Sequence, residues 1–255
     1  MTGRLRWRDL PAVLWRGTMV FLRDLPRYLL AGALLFGTCY AIVGLLRAGL
    51  VGLFWYYTLS IALLGMALAW WPAVIASGMV ERAGGDGAEA VVLLDSVTDR
   101  PFRLLGLGLL SAGFAVVVVF GAYVGYRAIG GSDGSFPGDV LLFLVFGPHA
   151  LLAAIMVRER RGPLSAVRRF FVLWRGHRLA ALGLVAVAGL CGGQLCAGLE
   201  IATTELAPNW VLVWIDHVAV LLCLSLVAAW VTAGYLRLSS IEESRLTQSL
   251  VDHFD

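Results

Sequence analysis

The chain has no lysine: all twenty of its basic residues are arginine. That bias points to a GC-rich bacterial genome rather than to a special demand for guanidinium groups. Charge of either sign is scarce, at 15% of residues with a net of +3, which is too little to suggest nucleic acid as a partner. The four cysteines, Cys39, Cys191, Cys196 and Cys223, all lie inside apolar runs. Neither a disulfide framework nor zinc-site spacing is visible, and they read as small packing residues with no metal or cofactor expected. No signal peptide is expected either. Six arginines spread from Arg4 to Arg27 leave no short apolar core or small-residue cleavage site, so the N-terminus is expected to be retained.

What remains is apolar. Hydrophobic residues make up 60% of the chain and the mean hydropathy is +0.83, against about 45–50% apolar residues in soluble proteins. Uncharged runs cover residues 28–46, 48–80, 104–126, 140–157, 179–199 and 218–236. A helix of roughly 20 residues, rising about 1.5 Å each, matches a hydrocarbon core of about 30 Å. The runs therefore predict an all-α polytopic membrane protein with six spans. The second run is longer than a span needs. Its surplus is expected to form an outer turn around Leu50 to Phe54, with Trp70, Trp71 and Pro72 toward the inner half.

Arginine distribution sets the orientation. Segments 1–27, 81–103, 158–178 and 237–255 hold eighteen arginines against twelve acids, and the alternate loops hold Arg47 and Arg127 against five acids. The first set is expected in the cytoplasm of a bacterial inner membrane, with both termini. The arginines opening the odd spans, Arg27, Arg103 and Arg178, lie 76 and 75 residues apart. They suggest three helical hairpins (units 9–82, 88–158 and 163–237), followed by a short cytoplasmic tail, 238–255, in a single six-helix domain.

An amphipathic stretch precedes each of these arginines: Asp9 to Arg23, Ala88 to Asp99, and Pro163 to Arg175. In the first, Trp15, Met19 and Leu22 form an apolar stripe beside Arg16 and Arg23, with Asp9 as expected N-cap and Pro11 in the first turn. In the third, Leu164, Val167, Phe171 and Trp174 form the stripe, leaving Arg168, Arg169 and Arg175 for anionic headgroups or a partner at about 1 kcal/mol each. The second stretch, with Glu89, Asp95 and Asp99, is the more acidic and suits a protein partner. A homo-oligomer is also compatible with this pattern.

The run Leu164-Ser165-Ala166-Val167-Arg168-Arg169-Phe170-Phe171-Val172-Leu173-Trp174-Arg175-Gly176-His177-Arg178, and to a lesser degree Ala88 to Leu110, resembles YesL-like six-span bacterial proteins and the membrane domain of some glycerophosphodiester phosphodiesterases. The resemblance is one of pattern over most of the chain. It implies a membrane module without a known catalytic residue, so no site is carried over. Six spans with cytoplasmic ends also resemble the permease halves of type-2 ABC exporters, where Ala88 to Asp99 would be the coupling helix; the third interfacial stretch departs from that plan.

Polar residues within spans are costly and therefore candidates for function. His149 follows Gly147-Pro148, where its imidazole can satisfy a carbonyl freed by the proline or serve as a gate or binding contact. Gln194, within Cys191-Gly192-Gly193-Gln194-Leu195-Cys196, is expected to bond across a close helix contact, and Gly106 and Gly108 to permit another. Glu200, Glu205, Asp216 and His217 gather near an outer turn with Pro208, Asn209, Trp210 and Trp214, without metalloprotease spacing. The leading expectation is a non-enzymatic, transport-associated or partner-docking membrane module. A permease subunit and a lipid-modifying enzyme using the outer cluster are the alternatives.

Overall fold

The computed structural model describes residues 7–48, 53–84, 101–129, 138–204 and 209–254. A 3-10 turn, Trp7–Asp9, leads into α1 (Leu10–Arg23), α2 (Leu25–Ala48), α3 (Leu53–Gly84), α4 (Pro101–Ala128), α5 (Gly138–Glu159), α6 (Pro163–Thr204) and α7 (Asn209–Phe254). No strand occurs among the described residues. Prolines at the first position of α4 and α6 cost no hydrogen bond there, because a first-turn N–H has no helical partner. Three stretches, Leu25–Leu45, Ala180–Gly198 and Val218–Ser244, are long and apolar enough to cross a membrane.

The centre of the bundle is built from α3, α5, α6 and α7. In α5 every residue from Ala150 to Met156 is buried, and in α7 every residue from Val227 to Val231. A helix apolar around its whole circumference must be covered on all sides. By contrast, α2 packs chiefly on α3, while α4 packs on α3 and α5. Both leave large side chains uncovered, among them Leu30 and Leu45 in α2 and Val117 and Phe120 in α4.

Small residues set the closest crossings. A Cβ built on Gly108 of α4 would stand 2.5 Å from the Cβ of Ala69 in α3, whereas one built on Gly106 would meet only Pro163, at 3.6 Å. The close approach expected of this pair is therefore made by Gly108 alone. Trp71 ties three helices together: its ring lies edge-on to Phe36 of α2, and its Nε1 donates to Ser225 Oγ of α7 at 2.7 Å.

Several local expectations change. Asp9 occupies the N-cap position of α1, but its side chain makes no capping bond. The preceding 3-10 turn holds it at φ −87°, ψ −15°, a helical conformation, whereas side-chain capping uses an extended backbone. Asn209, Trp210 and Trp214, expected in an outer turn, belong to α7, which begins at Asn209. The 238–255 tail is helical to Phe254, so α7 runs 46 residues, about 69 Å at the usual rise and more than twice a bilayer core. Of the outer turn at Leu50 to Phe54, residues 50–52 lie outside the described residues, as does Ala88 to Asp99.

Candidate functional site

The ion-paired residues concentrate where α1 and the first half of α6 meet the C-terminal ends of α3 and α5 and the interior of α7. Both short segments break from the long helix after them. The first breaks at Asp24 (φ −101°, ψ 8°), ahead of Pro26 and Arg27, and the other at His177 (φ −141°, ψ 34°), ahead of Arg178. These breaks set the two described amphipathic stretches at an angle of their own, apart from the long helical runs to which they are joined.

Each segment has two apolar faces. In α1, Leu10, Val13, Gly17 and Phe21 are buried. Gly17 admits α7, since a Cβ there would lie 3.2 Å from the Ala229 carbonyl oxygen and 3.1 Å from Trp230, and the Trp230 indole donates to Thr18 Oγ1 at 2.8 Å. The stripe expected from the sequence faces the other way: Trp15 is 64% exposed, Leu22 51% and Met19 40%. Arg16 and Arg23 are exposed as well. In α6, Ala166 and Leu173 are buried while Leu164, Phe171 and Arg168 are exposed, and Val167 is half-buried against the core. The side chains of Trp174 and Arg175 lie outside the described residues.

Two ion-pair clusters close this end of the bundle. Asp24, itself buried, receives Arg82 through Nε at 2.9 Å and through Nη2, with Arg27 at 3.3 Å. The hydrogen bonds that Arg82 donates to Asp24 raise the Arg82 pKa above the ordinary guanidinium value, with burial pulling the other way. Nearby, Tyr28 donates to the Ile75 carbonyl at 3.4 Å.

In the second cluster Arg169 bridges three helices. Its Nε donates to Glu159 at 2.8 Å, and Nη1 and Nη2 take both oxygens of Glu242 at 3.0 and 2.5 Å. The Tyr235 hydroxyl adds a bond to Glu159 at 2.9 Å, and Arg158 pairs with Glu243 at 3.0 Å. Burial works against the charge on Arg169, but its hydrogen bonds to Glu159 and Glu242 more than offset this and raise its pKa. Of the arginines expected to meet headgroups or a partner, Arg169 is thus engaged within the bundle, while Arg16, Arg23 and Arg168 stand outward. The sequence reading missed the first cluster; its one signal was that, among the residues before Glu81, Asp24 is the acid beside the start of a span.

His149 is buried, 6% exposed, and its Nε2 lies 2.9 Å from the Ala69 carbonyl oxygen. The expected partner was a carbonyl freed by Pro148 in its own helix. The bond instead crosses to α3, reaching a turn that already contains Pro72 and its missing N–H. Gln194 is likewise not at a packed crossing. It is exposed, whereas its neighbours Gly192 and Gly193 are buried. Of the outer cluster, Glu205 and the side chains of Glu200, Asp216 and His217 lie outside the described residues.

Among the described residues no group of three or more His, Cys, Asp or Glu side chains converges as a metal site would. No family model, curated protein or solved structure matches the chain.

Proposed function

We propose that this chain is a six-span protein of a bacterial inner membrane, with both termini in the cytoplasm. In this reading it is a non-catalytic, transport-associated module that docks a protein partner at its cytoplasmic surface. The observation that carries the reading is the second, outward apolar face on α1 and on the first half of α6. Each segment has already buried one face in the bundle, yet Trp15, Met19 and Leu22, and likewise Leu164 and Phe171, remain uncovered beside exposed arginines. Such a face suits the headgroup boundary of an anionic leaflet, where Arg16, Arg23 and Arg168 together contribute about 3 kcal/mol. The α7 extension beyond Arg237 gives the same surface a helical arm for a partner.

The six-span part is supported by six helices of at least 22 residues and by the one-sided distribution of arginine. Labelling an Arg161→Cys variant with an impermeant maleimide tests it. Modification from the cytoplasmic side is expected, and modification of intact cells from outside overturns the topology. For docking, a photoreactive residue at Leu164 should give one discrete cross-linked protein in native membranes, and deletion of residues 245–254 should abolish it. Cross-links to lipid alone would refute the docking role.

A further inference from the structure

Within the stretch Ala180–Gly198 of α6, Leu184, Val185, Ala188, Gly192 and Cys196 turn toward the bundle. Leu190, Cys191, Gln194, Leu195 and Gly198 are exposed. The exposed five fall at i, i+1, i+4, i+5 and i+8, which is one stripe along the helix. If α6 crosses the membrane there, the stripe faces lipid.

Gln194 does not belong on a lipid-facing stripe. Its amide has two donors and an acceptor with two lone pairs, and it has no hydrogen-bond partner among the described residues. Hydrocarbon offers none, so leaving the amide there is unfavourable. Reaching for the nearer surface does not relieve it. Helical side chains lean toward the helix N-terminus, which for Gln194 is away from the nearer end of the span.

A carboxamide is complementary to itself: two of them facing across a twofold axis each donate an N–H to the other's carbonyl. Charge plays no part, so neither an ionic headgroup nor a charged side chain is the natural occupant. Beside Gln194 the stripe carries two small residues, Cys191 and Gly198, along with the larger Leu190 and Leu195. No atom lies within 4 Å of a Cβ built on Gly198, and Cys191 is the exposed residue one turn earlier. Small residues flanking a polar one let two helix backbones approach closely enough for the amides to meet.

We propose that two copies of this chain associate in the membrane through this face of α6, with their Gln194 side chains hydrogen-bonded to each other across the axis. The pairing rests on α6 crossing the membrane and not on the cytoplasmic docking role, so either can fail alone. Cys191 supplies a native reporter. In native membranes, mild copper-phenanthroline oxidation should give a disulfide-linked dimer that Cys191→Ser abolishes.

Energy transfer between labelled copies in phosphatidylcholine vesicles should persist in Cys191→Ser. Gln194→Leu should weaken association about tenfold, with unchanged thermal melting because the site is not part of the packed core. Gln194→Asn should keep most of it. The proposal is overturned if wild-type protein gives neither cross-link nor energy transfer, if Cys191 cross-links to a different polypeptide, or if Gln194→Leu associates as strongly as wild type.

Discussion

Replacing Gly108 and Gly113 by alanine, one at a time, separates helix propensity from helix crossing. Both lie in α4. Nothing stands within 4 Å of a Cβ on Gly113, whereas one on Gly108 would lie 2.5 Å from the Ala69 Cβ. Carbon atoms in contact prefer about 3.5–4.0 Å, so α3 and α4 must separate by about 1 Å. A Cβ cannot rotate out of the way, so the strain falls on the backbone. Alanine gains about 1 kcal/mol over glycine in a helix, and overpacking costs about 1–3 kcal/mol. Gly113→Ala should therefore be neutral to stabilising by about 1 kcal/mol. Gly108→Ala should fall below it by about 1–3 kcal/mol. Adding Ala69→Gly to Gly108→Ala should recover much of that difference by vacating the contested space. Melting in detergent, followed by a thiol-reactive dye that reports exposure of the buried Cys196 and Cys223, measures all four proteins. Equal stabilities for the two single variants would refute the close crossing, as would a double variant less stable than both singles.

His149→Ala strips the Ala69 carbonyl of its cross-helix donor and should lower stability by about 1–3 kcal/mol, seen as reduced folded yield and melting temperature; unchanged stability would leave a gating or binding role as its explanation. Ser225→Ala should cost a similar amount, about 1–3 kcal/mol, by leaving the Trp71 indole N–H without its acceptor in the core, and the same dye assay reads it. Arg169→Met leaves Glu242 without its partner beside Glu159, which keeps Arg161 and Tyr235, and should destabilise the protein by about 1–3 kcal/mol. Adding Glu242→Gln should restore part of that loss, and a double variant no better than the single would show that the carboxylates do not repel.

Helix class was legible because it depends on composition and run length, which need no knowledge of neighbours. The outward stripes of α1 and α6 were legible for the same reason: Trp15, Met19 and Leu22 are bulky and recur at helical spacing. The inward faces were not. Their key positions are Gly17 and Ala166, which carry almost no hydrophobic signal yet are where α1 and α6 enter the bundle. The ion-pair clusters stayed hidden because Asp24 with Arg82, and Arg169 with Glu242, join residues 58 and 73 positions apart. His149 stood out as a buried polar residue, but its partner belongs to another helix and no local pattern names it.

The same contrast bears on where function resides. Inside the bundle three described polar groups are bonded across helices, Trp71 to Ser225, His149 to Ala69 and Tyr28 to Ile75, while Trp70 Nε1 and Thr232 Oγ1 are buried with no hydrogen-bond partner among the described residues. A hydrogen bond in a low-dielectric interior is strong and its loss is costly, so the bonded groups hold helices in register. Chemistry directed outward is left to residues the bundle does not consume. They are the exposed arginines and aromatic stripe at the arginine-bearing end, and Gln194 on the flank of α6. Both kinds of site call for something large and close by, a membrane surface, a protein or a second copy. That requirement ties the proposed docking role and the proposed self-association to one physical cause: surface that the protein builds but does not itself cover.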